Sequence, residues 1–347
     1  MKTATNIKFA LNAMFLLLAV SFLLPSTVAN AEQPNAEVYR KILNADKFYV
    51  EYSVESKYSN PQTQKQFGGN KMATVAALVV DGDKRAYLAK GRRSGNTVLG
   101  SQSMNNKLFK DALKESLKMD KNKMYLNYLC RDGKCYYFFG KNNALVAPEK
   151  ELYETPSGYS NIWKSSAKTE LSLPHVLEVF APEFNSFRQN GELGVIVKPK
   201  YNFVESGHGT FNGESLVYDK YEKTYTSNDT SFKAASSMQE YIYCYYDASG
   251  NLKYVKTDRI INDNEFNKQM KAEQEAVKKE IEAMRRSLPG RSGGSDVGTV
   301  ESYYRIYKIS NEIPIGAFDF PSGLKVYAAE SGSLADLTDN YVLVEQH

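Results

Sequence analysis

Short runs of alternating apolar and polar residues recur along most of the chain. Residues 48–54 alternate in this way, which predicts a strand with one buried face. Residues 73–80 and 84–90 flank an Asp-Gly-Asp turn and predict a hairpin. Further strands are predicted at 124–130, 135–139, 194–199, 215–225, 240–246, 251–261 and 301–309, with short strands after 314. Because these strands form hairpins without a βαβ alternation, the fold class is α+β, mostly antiparallel β, with a few helices packed on the sheet.

Helical periodicity is confined to a few segments. Short helices are predicted at 37–43 with Val38, Ile42 and Leu43 on the buried face, at 107–117 with Leu108, Leu113 and Leu117 inward, and at 173–180 with Ser172 as its cap. Residues 148–170 are polar and turn-rich. Residues 262–288 predict a long helix with a thin apolar stripe, followed by a Gly/Ser loop to 298. We interpret 262–298 as an insertion between neighbouring strands, either a solvated helix or a mobile lid or partner-binding arm.

The first 31 residues have the pattern of a signal peptide. Lys2 and Lys8 precede an apolar run at 9–25, and Ala29-Asn30-Ala31 follows as an A-x-A cleavage site. We expect cleavage after Ala31 and export to the periplasm or the extracellular space; an uncleaved membrane anchor is the alternative. The next residue is Glu32 rather than Cys, so no lipid anchor is signalled. Residues 32–347 are expected to form a single domain.

Composition excludes some functions and supports others. The formal charge is only +4, with acidic and basic residues interspersed, so we expect no nucleic-acid partner. The chain has 25 Tyr and 17 Phe but one Trp, which favours half-buried β surfaces. Of three Cys, Cys130 and Cys135 flank Arg-Asp-Gly-Lys, a two-residue hairpin turn that would make them cross-strand neighbours. A disulfide is expected there, with two free thiols as the alternative; Cys244 is expected to be buried.

Candidate chemistry is sparse. The three His are His175, His208 in a Gly-rich turn, and His347, and no nucleophile elbow, zinc-protease motif or P-loop is present. Asp81, Asp83 and Asp247 are interpreted as turn residues. We therefore expect no catalytic residue, no metal site and no cofactor, and we do not expect an enzyme.

Several predicted strands are apolar on both faces. Such a sheet must be covered on both sides, by helices, by its own curvature or by a ligand. The candidates for lining an apolar ligand cavity are Phe48, Val50, Tyr52, Met124, Leu126, Tyr128, Tyr137, Phe139, Tyr243 and Tyr245. The alternative is that these residues are ordinary core.

Two phrases carry a family resemblance. The first is YCYYDASGNLKYV at 243–255, a strand pair joined by an Asp/Gly turn; the second is IPIGAFDFPSGLKV at 313–326, which contains F-x-x-P-x-G-x-x-V. With the element order of 35–327, the chain resembles the periplasmic outer-membrane lipoprotein carriers (LolA-like). The resemblance implies a half-open curved sheet or incomplete barrel with helices as a lid, whose cavity binds lipid or lipoprotein acyl chains.

The resemblance leaves other functions open. A non-enzymatic envelope interaction or sensor module on the same fold, with envelope proteins as partners and no ligand, is the main alternative. An envelope hydrolase would need titratable groups that converge in a cleft, and the sequence shows none.

Overall fold

The computed structural model describes residues 32–58, 71–91, 107–154, 162–185, 197–227, 238–261, 300–329 and 341–347. The predicted signal peptide, the predicted helix at 262–288 and the Gly/Ser loop lie outside these residues. The strands are β1 (Lys47–Tyr58), β2 (Lys71–Asp81), β3 (Lys84–Lys90), β4 (Met124–Arg131), β5 (Lys134–Phe139), β6 (Asn143–Pro148), β7 (Val197–Phe211), β8 (Glu214–Ser227), β9 (Met238–Tyr246), β10 (Leu252–Ile261), β11 (Val300–Ser310), β12 (Lys325–Ala329) and β13 (Tyr341–Gln346). The helices are α1 (Pro34–Leu43), α2 (Lys107–Lys118), α3 (Glu151–Glu154), α4 (Ile162–Glu170) and a 3-10 helix, His175–Leu177.

All of these strands belong to one sheet that is not closed into a barrel. Its order is β13-β12-β6-β5-β4-β3-β2-β1-β11-β10-β9-β8-β7. Every neighbouring pair is antiparallel except β6 and β12, which are parallel. The prediction of a mostly antiparallel α+β fold is therefore confirmed, with one parallel pair that the hairpin pattern did not predict.

Two hairpin turns form as their sequences predict. In the first, Asp132 and Gly133 have φ of 55° and 69°, which a two-residue turn of this kind requires. Cys130 pairs with Cys135 in register, and the two form the expected disulfide. In the second, Asp247 accepts hydrogen bonds from the backbone nitrogens of Ser249 and Asn251, each at 2.9 Å. Both assignments are confirmed.

One face of the sheet carries the largest core, and we call it the helix face. Its buried side chains pack against α1, α2 and residues 162–185, a segment that we call the cover. The opposite face carries a second core around Val79, Leu129 and Phe138. Residues 313–326 lie on this second core through Ala317 and Leu324. The sheet is therefore covered on both faces over its β2–β6 half, as its two-sided apolar strands require.

Helix α2 is present, but its buried residues differ from those predicted. Phe109, Ala112 and Ser116 are buried, whereas Leu117 is 66% exposed. Phe109 packs on the ring of Phe139, with centroids 5.1 Å apart. Ala112 approaches the sheet so closely that a Cβ added at Gly140 would lie 2.9 Å from its Cβ. The helix is therefore rotated toward a small-residue face that hydrophobicity alone did not predict. Leu108 is half-buried against the main core, and Leu113 is half-buried.

Two other helix predictions are corrected. Residues 162–170, predicted to be turns, form α4. In the predicted helix at 173–180, only His175–Leu177 form a 3-10 turn. Ser172 does not cap it, because its hydroxyl donates to the Lys168 carbonyl of the preceding helix at 2.6 Å. In α1, Val38 is 48% exposed rather than buried.

His208 was predicted to lie in a Gly-rich turn, and this is wrong. It lies within β7, opposite Val217 of β8. The neighbouring Gly207 lies opposite Tyr218, whose phenol occupies the space that a side chain at 207 would need. The glycines of this segment therefore mark a close approach within a strand.

Candidate functional site

The helix face brings together six of the ten candidate cavity residues. Phe48, Val50, Tyr52, Tyr128, Tyr137 and Phe139 are all buried in its core. Two of these residues pack on rings of the cover: Phe48 lies against Phe184 with centroids 5.2 Å apart, and Tyr137 stacks on Trp163 at 6.3 Å. This part of the sheet is therefore occupied by the chain's own side chains, and the ligand-lining role of these residues stays a prediction.

A bulge places Leu126 on the opposite face. The register between β3 and β4 shifts so that Tyr87 pairs with Tyr128 and Leu88 pairs with Leu126. Asn127 is the extra residue in β4. Because of it, the residues before the bulge point to the opposite side of the sheet from the one that strict alternation would give. Leu126 accordingly packs against the second core. Met124, half-buried at the start of β4, pairs with Lys90.

Tyr243 and Tyr245 also do not join the helix face. Strand β9 alternates, and Ile242, Cys244 and Tyr246 are the residues buried on the helix face. Tyr245 instead stacks on Phe211 with ring centroids 4.7 Å apart. This alternation therefore places these two candidates away from the core of the helix face.

A cleft of about 530 Å³ opens where α1, the end of the cover and strands β7 and β8 meet. It is lined by Glu32, Arg40, Asn44, Val179, Phe180, Pro182, Glu183, Pro199, Lys200, Tyr201, Phe203 and Tyr221. Val179, Phe180 and Tyr221 are buried members of the helix-face core. The cleft therefore reaches the main core directly and has an apolar floor with charged groups around it.

Three ionisable side chains meet in the cleft wall. Arg40 donates to both carboxylate oxygens of Glu32, one of them at 2.6 Å, and the Tyr221 hydroxyl donates to Glu32 as well. Burial alone would raise the pKa of Glu32, but these hydrogen bonds and the Arg40 charge lower it. Burial, together with the charges of the neighbouring acids, raises the pKa of Tyr221. At neutral pH this is an ionised Glu–Arg pair beside a neutral phenol.

Asp219 lies next to this pair, at 0% exposure. It accepts from the Ser206 hydroxyl at 2.6 Å and from the backbone N–H of Gln33 at 3.0 Å. Burial raises its pKa, partly offset by these hydrogen bonds. Burial likewise raises the pKa of the Cys244 thiol, which is consistent with its expected role as a buried apolar group.

A second network of side-chain hydrogen bonds links the cover to β7 beside the cleft. The Asn185 side chain accepts from the Leu173 N–H and donates to the Leu173 carbonyl, at 3.1 and 2.9 Å. It also donates to Glu178, whose other carboxylate oxygen accepts from the Tyr201 hydroxyl at 2.8 Å. Tyr201 lines the cleft, so the position of the cover and the shape of the cleft are coupled.

Sequence reasoning missed both networks. Gln33 and Asp219 lie 186 positions apart, and Glu32 and Tyr221 lie 189 apart. The sequence offered one signal for this cluster: the polar residues Ser206, Asp219 and Tyr221 lie in strands that also carry buried residues. The expectation that no titratable groups converge in a cleft is therefore corrected for Glu32, Arg40 and Tyr221.

Two kinds of feature are absent from the parts of the chain that the structure describes. None of the helices there is long and apolar enough to cross a membrane. No group of three or more His, Cys, Asp or Glu residues among them could hold a metal ion.

Comparisons with known proteins give little. The chain matches no protein-family model, and no curated protein matches it. Among solved structures it is similar to the crystal structure of a DUF1329 family protein from Desulfovibrio piger, at 7% identity over 82% of this chain and 94% of that chain. The TM-score is 0.20.

Proposed function

We propose that the protein is an exported envelope protein that binds a lipid or lipoprotein acyl chain, in the manner of a carrier or chaperone. The observation that supports this is the cleft between α1, the cover and β7–β8. Its floor of Val179, Phe180 and Phe203 is apolar and continuous with the core of the helix face. An acyl chain entering there would gain about 0.8 kcal/mol for each methylene that leaves water.

The rim of the cleft suits an amphiphile with an anionic head. Arg40 is already paired with Glu32, but Lys200 is exposed at the rim of the cleft. In this proposal its ammonium attracts a carboxylate or phosphate head, with Glu183 also at the rim, while the apolar floor takes the chain. In this function the cover acts as a lid, and an elongated ligand extends beneath it toward Trp163 and Tyr137.

A fluorescent fatty-acid probe tests the proposal. The chain from Glu32 to His347 should bind the probe saturably, and unlabelled long-chain fatty acid should displace it. Lys200→Glu should weaken binding about threefold, the scale of one exposed charge interaction. Lys84→Glu is the matched control, because Lys84 is exposed in the β2–β3 turn and changes the net charge equally. Absence of saturable binding by folded protein would overturn the proposal.

The alternative is an interaction or sensor module without a ligand. One observation favours it: at the end of the sheet, β13 leaves Val342, Leu343 and Val344 between 44% and 51% exposed. Exposed apolar side chains on an edge strand are a feature of surfaces that pair with other chains. The same probe experiment separates the two functions, since a module of this kind binds no fatty acid.

A further inference from the structure

The two residues that follow the predicted cleavage position are held in a half-buried polar cluster. Glu32 is bound by Arg40 and Tyr221, and the Gln33 N–H is bound by Asp219. We propose that cleavage after Ala31 places the new α-ammonium group of Glu32 beside the Asp219 carboxylate, and that this ion pair completes the wall of the cleft. The inference rests on the export part of the proposed function.

The chemistry of cleavage supplies the charge. Hydrolysis breaks the peptide bond between Ala31 and Glu32; water gives its hydroxyl to the Ala31 carbonyl carbon and a hydrogen to the Glu32 nitrogen. The freed amine has an ordinary pKa of about 7.7–8.0 and takes up a proton at neutral pH. In the precursor the same nitrogen is an uncharged amide, so only the mature chain can form the ion pair.

Covalent geometry fixes how near the new charge must lie. The nitrogens of consecutive residues are separated by no more than about 3.7 Å. Since the Gln33 nitrogen is 3.0 Å from Asp219 Oδ2, the Glu32 nitrogen lies within about 7 Å of that oxygen before any rearrangement. The Tyr221 hydroxyl, which donates to Glu32, is also 3.4 Å from Asp219 Oδ2. Direct contact then requires only a rearrangement of the backbone at Glu32.

The cluster lacks one positive charge. Glu32 and Asp219 are acids, and the cation facing them is Arg40, which binds Glu32 through both nitrogens and also lies 3.5 Å from the exposed Glu37. In the part of the chain that the structure describes, the groups that donate to Asp219 are the neutral Ser206, Gln33 and Tyr221. A fully buried carboxylate without a cation is unfavourable when ionised. An α-ammonium group supplies the missing charge.

The ion pair would act on the cleft itself. Glu32, Arg40 and Tyr221 line the cleft, and Asp219 lies behind them. In the precursor, residue 31 and the leader are attached to this wall through the Glu32 nitrogen. Cleavage therefore frees this nitrogen from the leader and fixes the wall at the same step, so that ligand binding depends on maturation.

Two chains that differ at the N-terminus test the ion pair. One begins at Glu32 and the other at Asn30, each made by a protease that leaves no extra residue; both have one α-amine and the same net charge. At pH 7 the chain that begins at Asn30 should unfold about 2 °C lower. In the Asp219→Asn background the two chains should unfold at the same temperature. Equal temperatures without the substitution, or an unchanged difference with it, would overturn the proposal.

A second measurement serves if Asp219→Asn does not fold. The pKa of the α-amine is read from the pH dependence of its acylation, followed by mass spectrometry of the N-terminal peptide. Pairing with a carboxylate should raise it above the ordinary range of about 7.7–8.0 in the chain that begins at Glu32, and not in the chain that begins at Asn30. An ordinary pKa in both chains would contradict the ion pair. Neither measurement uses a ligand, so failure of the fatty-acid experiment leaves this test intact.

Discussion

The phenol of Tyr218 covers Gly207 on the neighbouring strand so closely that a Cβ at residue 207 would lie 2.7 Å from its oxygen. We predict that Gly207→Ala destabilises the protein by about 1–3 kcal/mol, the range for overpacking. Chemical denaturation measures this. Gly209→Ala is the control, because a Cβ there would lie 3.5 Å from the same ring, an ordinary contact. Equal effects of the two substitutions would contradict the close approach.

The disulfide predicts a simple count of reactive thiols. Cys244 is fully buried, and Cys130 and Cys135 are bonded to each other. Folded protein should therefore show no fast-reacting thiol, denatured protein without reductant should show one, and reduced protein should show all three. A thiol reagent with spectrophotometric readout measures this. A second thiol on denaturation alone would mean that the hairpin is reduced.

The turn at Asp247 predicts a pH dependence. Burial would raise the pKa of Asp247, but hydrogen bonds from Asn251 and Ser249 outweigh it and lower the pKa. A lowered carboxyl pKa contributes stability that is present above the unfolded value of about 3.9 and is lost as the pH falls through the folded value. Asp247→Ala should therefore lower the thermal midpoint at pH 7.

The same comparison at progressively lower pH provides the check on Asp247, since the wild-type carboxyl becomes protonated as the pH falls through its folded pKa. The difference between wild type and Asp247→Ala should be smaller there. Ser249→Ala is the control: it keeps the backbone N–H that Asp247 accepts from and should show no such pH dependence. A midpoint difference that stays the same as the pH falls would contradict the assigned role.

Trp163 provides a fluorescent probe of the packing of the cover. It is the single tryptophan, is 4% exposed and stacks on Tyr137. Its fluorescence should resist acrylamide quenching in the folded protein and be quenched freely after denaturation. If a fatty acid enters beneath the cover, saturating ligand should increase the quenching. Binding without such an increase would restrict the ligand to the cleft, and ready quenching of the unliganded protein would contradict the packing of the cover.

The features that could be predicted from the sequence are those that depend only on residues close together in the chain. The Asp132-Gly133 turn and the Asp247 turn needed only their own residues, so both hairpins could be predicted. The facing of Leu126 could not, because a single bulge at Asn127 reverses it and strict alternation does not include an extra residue. The buried face of α2 depends on Gly140, which lies on another element. The candidate site could be predicted even less well, because Asp219 and Gln33 meet only after the whole sheet has formed.

The centre of the sheet is made from the two ends of the chain. Strand β1 pairs on one side with β2 and on the other with β11, and Tyr303 donates to Glu55 across 248 positions. Such a contact order makes folding slow, because the entropy of closing a long loop is lost before the pairing forms. A ribosome that has released only the first 290 residues holds a chain in which the middle of the sheet has an unpaired edge. The polypeptide is thus kept from completing its fold until synthesis is nearly finished, a property that would suit the export proposed above.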